Sequence, residues 1–177
     1  MKLSKGSTMP DFMYNTAFES GKSLYDTIDG KPTFLLFLRY LGCTTCQLDL
    51  HQLKNEYHRF AEKGAQVLVV LQSKPEVIAA EIQKGDLPFA IICDPEQLLY
   101  KKLEINVAKN KLAMASVGTI KKINAAKKAG FTHGAYEGEE LQLPAVFLLG
   151  DHGRVEYARY ATNLADMPSY DEMLALL

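Results

Sequence analysis

The chain has 177 residues, close to the usual size of one domain, which is long enough to bury a continuous core without disulfide bridges. Apolar residues make up 47% and charged residues 23% of the sequence, as in an ordinary soluble globular protein. The net charge of −1 gives no sign of a surface for nucleic acid or membrane, so we predict one domain over residues 1–177 that binds neither.

The chain starts with MKLSKGSTMPDF, which is followed by no apolar stretch of signal-peptide length. No later segment approaches the roughly 18 apolar residues that a membrane span requires. We therefore predict a cytoplasmic protein. Three cysteines are too few for a disulfide framework in a chain of this length.

Apolar runs and helical periodicity alternate along the first two thirds of the chain. TFLLFLRY is apolar enough for a strand buried on both faces, and the next segment has apolar residues every three or four positions up to the capping Gly64. The predicted elements are a strand at 33–40, a helix at 44–63, a strand at 65–72, a helix from Pro75 to about Lys84, a strand at 88–94 and a helix at 95–103. This alternation predicts an α/β fold with a parallel or mixed sheet.

Residues 104–140 break the rhythm and contain helix-favouring patches followed by the polar THGAYEGEE. We interpret them as a helical and loop insertion that lies over the sheet. LQLPAVFLLG and RVEYARYA, joined by DHG, then predict an antiparallel hairpin over 141–161. A final helix is predicted to start at Pro168 and run to Leu177.

The pair Cys43 and Cys46 stands between the first predicted strand and the helix, in RYLGCTTCQLDL. A structural zinc site needs four ligands, usually two such pairs or one pair with spaced histidines, and the chain offers neither pattern. Two core cysteines that happen to lie three apart are a further alternative. The strand–CxxC–helix context favours a redox pair, and no cofactor is then required.

The two cysteines are predicted to have different roles. Cys43 lies where the backbone N–H groups of the helix start are unpaired and the helix dipole is positive, and both stabilise a thiolate. Cys46 lies one turn further in, where it can attack a disulfide or sulfenic acid on Cys43. We predict that Cys43 attacks and Cys46 resolves.

Three stretches resemble the thioredoxin-fold redoxins, in the alkyl hydroperoxide reductase/thiol-specific antioxidant (peroxiredoxin-like) branch. They are the opening region up to CTTCQLDL, the middle ICDPEQLLYKKLEI and the late LPAVFLLGDHGRVEYA, and together they span most of the chain. The resemblance implies a thioredoxin-like fold with a central mixed sheet between helices. It also implies an antioxidant oxidoreductase that acts in cell redox homeostasis.

The chain departs from that family at two positions. Peroxiredoxins usually carry Thr or Ser three residues before the attacking cysteine and an arginine before the late strand, whereas this chain has Tyr40 and Leu143–Pro144 there. These two departures from the family predict slower peroxide reduction than in a typical peroxiredoxin. Pro144 instead resembles the thioredoxin proline, often cis, that lies against the CxxC and whose preceding backbone pairs with an extended substrate. An ordinary strand-starting proline is the alternative.

Four further residues are considered for the site. Arg39 either lies beside Cys43 and holds it as thiolate or extends into solvent, with nothing in the sequence to decide. Cys93 is predicted to be a core cysteine rather than a second resolving thiol. His133 either lines the site or is a solvated loop residue, and we predict the second; Lys122 is predicted to belong to a solvated helix face.

The prediction is thus a thiol-disulfide oxidoreductase or peroxiredoxin-like peroxidase with a redox-active disulfide, in which Cys43, Cys46, Arg39 and Pro144 form the site. The substrate is a peroxide or a protein disulfide, and a thiol reductant such as a thioredoxin-like protein regenerates the enzyme. The alternative is a non-enzymatic redox sensor or interaction module that is switched by oxidation of the pair. The sequence leaves the oligomeric state open, with a homodimer among the possibilities.

Overall fold

The computed structural model describes residues 1–177 and contains a five-stranded mixed sheet with helices on both faces. In chain order the elements are β1 (Met13–Tyr14), β2 (Lys22–Ser23), α1 (Leu24–Ile28), β3 (Thr33–Phe37), α2 (Thr44–Glu62), β4 (Gln66–Leu71), α3 (Pro75–Glu81), β5 (Ala90–Cys93), α4 (Leu98–Lys102), α5 (Val117–Lys128), β6 (Ala145–Leu149), β7 (Val155–Tyr160) and α6 (Tyr170–Leu174). The sheet order is β5-β4-β3-β6-β7. The predicted thioredoxin-like α/β fold is confirmed.

β3 is the central strand, and all five of its residues are buried. It pairs in parallel with β4 and antiparallel with β6. Because side chains alternate across a strand, Phe34 and Leu36 pack into the core under α2, whereas Leu35 and Phe37 join the core that contains α1 and α4. The unbroken apolar run of residues 34–37 is therefore what places helices on both faces of the sheet.

The predicted helix at 44–63 is α2, which runs to Glu62. Its side chains Leu50, Leu53 and Phe60 recur at helical spacing and fill the core on one face of β3. Gly64 adopts a left-handed φ of 72° just beyond the helix, as the predicted cap requires. A long, well-anchored helix thus holds the two cysteines at its start against the C-terminal end of β3.

The insertion at 104–140 contains a 3₁₀ turn at Leu112–Met114 and α5, which packs against α2. Residues 131–140, which follow α5, have no helix or strand, and we call them the cover segment. The hairpin of β6 and β7 is confirmed, with DHG forming a 3₁₀ turn between the strands. None of the helices combines the length and apolar character needed to cross a lipid bilayer.

Two terminal regions differ from the sequence prediction. The final helix begins at Tyr170 rather than Pro168, because Ser169 caps it and exchanges two bonds with Glu172 in a capping box. Near the other end, β1, β2 and α1 were not predicted. Each strand has only two residues and α1 has five, so these elements are too short to show a period in sequence.

Candidate active site

Cys43 is the N-cap of α2, and Cys46 lies in the first turn of the helix. Only 1% of Cys43 and 3% of Cys46 is exposed, and neither forms a disulfide in this structure. The extended backbone of Cys43 (φ −72°, ψ 120°) turns the chain from the loop after β3 into the helix. The sulfur atom of Cys43 therefore lies at the positive end of a helix of 19 residues.

Arg39 lies beside Cys43, which decides between the two positions considered for it. Its Nη1 is 3.5 Å from Cys43 Sγ, and Nη2 donates to the Tyr40 hydroxyl at 3.2 Å and to the backbone carbonyl of Glu140. The Nε–H of the same guanidinium is buried and has no hydrogen-bond partner. The side chain thus presents charge to the sulfur and keeps one donor free.

Thr45 is a second polar neighbour of the sulfur and was not identified from sequence. Its Oγ1 is 3.3 Å from Cys43 Sγ, and the residue is buried. Thr45 stands two residues after Cys43, the N-cap of the helix, and side chains so close to a cap can reach the capping residue. This position is the only sequence signal that could have identified it. Cys43 therefore has a hydroxyl and a guanidinium within contact distance.

The two thiols have opposite acidities. The pKa of Cys43 is lowered to about 5 by hydrogen bonding to the Cys46 thiol, with burial opposing the shift and Arg39 and Thr45 adding to it. Burial raises the pKa of Cys46 well above its ordinary value, and its hydrogen bond to Cys43 raises it further. These opposite shifts favour a thiolate on Cys43 and a protonated thiol on Cys46 at neutral pH, which is the direction expected from the helix-start position, and the roles of the two thiols remain a prediction.

Tyr40, at the position where the family usually has a hydroxyl residue, is fully buried and contacts the cover segment. Its hydroxyl lies 3.1 Å from His133 Nε2, and the ring of His133 stacks on that of Tyr136 with centroids 4.3 Å apart. Burial raises the pKa of Tyr40, so the hydroxyl remains protonated. His133 is exposed, as predicted, but it is not free in solvent, because one ring nitrogen is bound to a residue next to Arg39.

Pro144 is buried and directly precedes β6. The peptide bond before it is trans, unlike the cis proline that the resemblance suggested. The preceding backbone is also occupied, because Leu143 N–H donates to Asn106 at 2.9 Å and Leu141 C=O accepts from Ala108 at 2.9 Å. The expectation that this backbone is open to an extended substrate is therefore wrong, since the insertion already pairs with it.

An ion pair lies further along α2. Lys122 Nζ of α5 is 2.7 Å from the Asp49 carboxylate, and their side chains are only 16% and 21% exposed. The prediction that Lys122 belongs to a solvated helix face is wrong, because α5 packs this side chain against α2. Burial raises the pKa of Asp49, and the lysine opposes that rise.

Cys93 ends β5 and is half-buried. Burial raises its pKa to about 12, and the carboxylates of Glu137 and Glu76 add to the rise. This thiol is therefore protonated and poorly nucleophilic at neutral pH. Its environment supports the interpretation that it is not a second resolving thiol, which remains a prediction.

Comparison with solved structures gives relatives of the same fold. The chain superposes on a thiol peroxidase of Chromobacterium violaceum with a TM-score of 0.66 and 17% identity, over 99% of this chain and 87% of that one. For a reduced 2-Cys peroxiredoxin of Plasmodium vivax the TM-score is 0.67 and the identity 16%, over 97% and 79% of the two chains. A Chlorobium tepidum protein, described as a candidate thiol:disulfide interchange protein DsbE, gives 0.62 and 17% over 99% of each chain.

At these identities the structural likeness establishes the fold alone. Among curated proteins, no sequence matches the chain. The model of the AhpC/TSA family, in contrast, matches residues 6–158. Because this match covers most of the chain, including both cysteines of the helix start, the protein belongs to the AhpC/TSA family.

Proposed function

We propose that the protein is a thiol-dependent oxidoreductase that cycles between a Cys43–Cys46 dithiol and the corresponding disulfide. The observation that carries this proposal is the contrast between the two sulfurs. Cys43 lies beside Arg39 at the start of α2 and its pKa is lowered, whereas burial one turn deeper in the same helix raises the pKa of Cys46. A dithiol cycle needs one thiol that is ionised at neutral pH and a second, protonated thiol close to it.

With a peroxide, the Cys43 thiolate attacks one oxygen and the O–O bond breaks. The attacked oxygen stays on sulfur as a sulfenic acid, and the other leaves with a proton as water or an alcohol. Cys46 then loses its proton and attacks the Cys43 sulfur, which forms the disulfide and releases water. An external dithiol, such as a thioredoxin-like protein, reduces the disulfide and is itself oxidised.

The site supplies donors for the oxygen atoms although it lacks the usual threonine and arginine. Arg39 and Thr45 contact the sulfur at 3.5 Å and 3.3 Å, and the buried Nε–H of Arg39 has no hydrogen-bond partner. A guanidinium can bond two oxygens at once, and charge-assisted bonds of this kind stabilise the charge that develops as the O–O bond breaks. These contacts support a peroxide as substrate.

Dithiol–disulfide exchange is the second candidate, and the CxxC spacing supports it. Here Cys43 attacks a substrate disulfide, one substrate sulfur leaves as a thiolate, and Cys46 attacks the mixed disulfide to release the other. A non-enzymatic sensor would undergo the same oxidation but would turn over slowly with every reductant. All three functions begin with attack by the Cys43 thiolate, and they differ in the oxidant and in the rate at which the disulfide is reduced.

The test uses reduced protein mixed rapidly with hydrogen peroxide or, in parallel, with an oxidised dithiol protein. We expect a Cys43–Cys46 disulfide in the wild type, identified by peptide mapping under non-reducing conditions. In Cys46→Ser we expect a sulfenic acid on Cys43 after peroxide, trapped by dimedone. A Cys93→Ser variant is the matched control and should behave as wild type, whereas a disulfide that includes Cys93 would refute the assignment of the pair.

A further inference from the structure

The cover segment lies directly on the loop that carries Cys43. Gly134 N–H donates to the Gly42 carbonyl at 2.8 Å, and the two glycines touch so closely that a Cβ on Gly134 would lie 3.1 Å from Gly42 Cα. Gln47 Nε2 of α2, four residues after Cys43, donates to the Thr132 carbonyl at 3.0 Å. These contacts join the cover segment to the chain on both sides of Cys43 in sequence, and only 1% of Cys43 remains exposed.

Glu137 ties the cover segment to the body of the protein. Its carboxylate accepts from the Ser73 hydroxyl at 2.6 Å and from Lys74 N–H at 3.1 Å. Ser73 is fully buried, and its oxygen accepts in turn from Leu41 N–H at 2.8 Å, two residues before Cys43. One carboxylate thus connects the cover segment, through one hydroxyl, to the cysteine loop.

The cover segment has no regular secondary structure, and six of its residues (132–136 and 138) are exposed. Besides the aromatic contacts of its Phe131, His133 and Tyr136 with His51 and Tyr40, the segment is held by the hydrogen bonds described above and contributes no buried apolar core of its own. Segments of this kind open at low free energy compared with the helices and strands around them. The cover segment therefore buries Cys43 almost completely while a few polar contacts decide whether it stays in place.

We propose that the cover segment makes Cys43 selective for small oxidants and that Glu137 sets this selectivity. The inference rests on the proposed function in that Cys43 is the reacting thiol. In the closed state a small peroxide or small disulfide reaches the sulfur, whereas a disulfide carried by a folded protein requires the segment to open. Exchange needs the attacking sulfur to approach along the S–S bond, and a protein surface cannot bring that bond to the sulfur of a residue that is 1% exposed.

The experiment compares two electrophiles with the same chemistry and different size. The small one is the symmetrical disulfide of thionitrobenzoate, and the large one is a folded protein whose single cysteine is joined to thionitrobenzoate. In each case the Cys43 thiolate attacks one sulfur of the disulfide, a new S–S bond forms, and the yellow thionitrobenzoate thiolate leaves. The host carries Cys46→Ser and Cys93→Ser, so that only Cys43 reacts and the mixed disulfide persists.

Glu137→Gln is the test variant, and Glu140→Gln is its matched control. The Glu140 side chain is 43% exposed and lies 4.0 Å from Lys111, whereas only its backbone carbonyl contacts Arg39. Both substitutions remove one negative charge from the cover segment, but only the first weakens the contact with Ser73. Gly134→Ala is a second test variant, because its Cβ would lie 3.1 Å from Gly42 Cα and so loosen the fit of the segment on the cysteine loop at a point away from the Glu137 contacts.

We expect Glu137→Gln to raise the rate with the protein-borne electrophile by about tenfold, since hydrogen bonds to charged groups contribute at least that factor. The rate with the small electrophile should change by less than about twofold, and Glu140→Gln should match the host on both. Equal rates for the large electrophile in host, Glu137→Gln and Gly134→Ala would overturn the proposal, as would equal acceleration of both electrophiles. These rates need no turnover, so a protein that shows size selection but never forms the Cys43–Cys46 disulfide would refute the proposed function and leave the inference standing.

Discussion

Replacement of Arg39 by methionine tests whether its charge, in addition to the hydrogen bond with Cys46 and the helix start, keeps Cys43 ionised. Methionine keeps most of the packing volume of the stem and removes the guanidinium that lies 3.5 Å from the sulfur. An opposite charge at this kind of distance typically shifts a pKa by about 1–3 units. We therefore expect the pKa of Cys43 to rise from about 5 to about 7.

The rise has a defined signature in pH. At pH 6 the thiolate fraction would fall from about nine tenths to about one tenth, whereas near pH 9 both proteins would be almost fully ionised. Because the thiolate is the reacting form, the alkylation rate of Cys43 should fall about tenfold at pH 6 and little at pH 9. A general loss of structure would instead change the rate at every pH.

The assay is iodoacetamide alkylation of reduced protein between about pH 4 and pH 9, with the Cys43 peptide quantified by mass spectrometry. Arg39→Lys should give an intermediate pKa, because it keeps the charge but not the fork that also contacts Tyr40. Arg154→Met removes a guanidinium that is 68% exposed and should leave the pKa unchanged. A pKa in Arg39→Met within about half a unit of wild type would refute the role given to this charge.

Three further outcomes are expected from contacts in and around the site. Arg39→Met should lower the reduction potential of the Cys43–Cys46 couple by roughly 50 mV at pH 7, measured in equilibrium with glutathione, because the reduced form loses the stabilised thiolate. An unchanged potential would contradict this. Lys122→Met should lower the free energy of unfolding in urea by about 3 kcal/mol at pH 7 and by less at pH 4. Burial raises the pKa of Asp49, so the cost of its unpaired charge disappears as the pH falls through that pKa. A larger loss of stability at pH 4 than at pH 7 would contradict this prediction. Asp94→Ala should lower the free energy of unfolding by about 1–2 kcal/mol in the same assay, because the carboxylate accepts from the backbone N–H groups of Leu98, Leu99 and Tyr100 at the start of α4. Asp94→Asn keeps one acceptor oxygen and should lower it by less.

The sheet and α2 could be predicted because their signals are local. The unbroken apolar run in β3 requires cover on both faces, and the spacing of Leu50, Leu53 and Phe60 predicts one buried helix face. The start of α6 is also visible in the sequence, as Ser169 and Glu172 at capping-box spacing, but it competes with the helix-starting signal of Pro168. The wrong helix start therefore reflects a choice between two local signals and not a lack of information.

The contacts around Cys43 depend on residues that are distant in sequence. Tyr40 and His133 are separated by 93 positions, and Asp49 and Lys122 by 73, and no pattern within one element predicts either pair. The helix-start position of Cys43 predicts that it is the more acidic of the two thiols, and the lowered pKa of Cys43 agrees in direction, whereas its role as the nucleophile stays a prediction. The direction of the Arg39 side chain was not predictable, because it depends on the Glu140 carbonyl, which the insertion brings to the site.

Two features of the site act on different substrates. The absence of the usual threonine and arginine predicts slow peroxide reduction, since loss of one preorganised donor costs roughly two to three powers of ten in rate. Arg39 and Thr45 contact the sulfur from other positions and offset part of that loss for a peroxide. They do nothing for the access of a protein disulfide, which the cover segment restricts whatever the acidity of Cys43. This protein should therefore lose its preference for small oxidants when the cover segment is released by Glu137→Gln. It should lose its reactivity toward both substrates at low pH when Arg39 is replaced by methionine. The two effects should be independent in the variant that carries both substitutions.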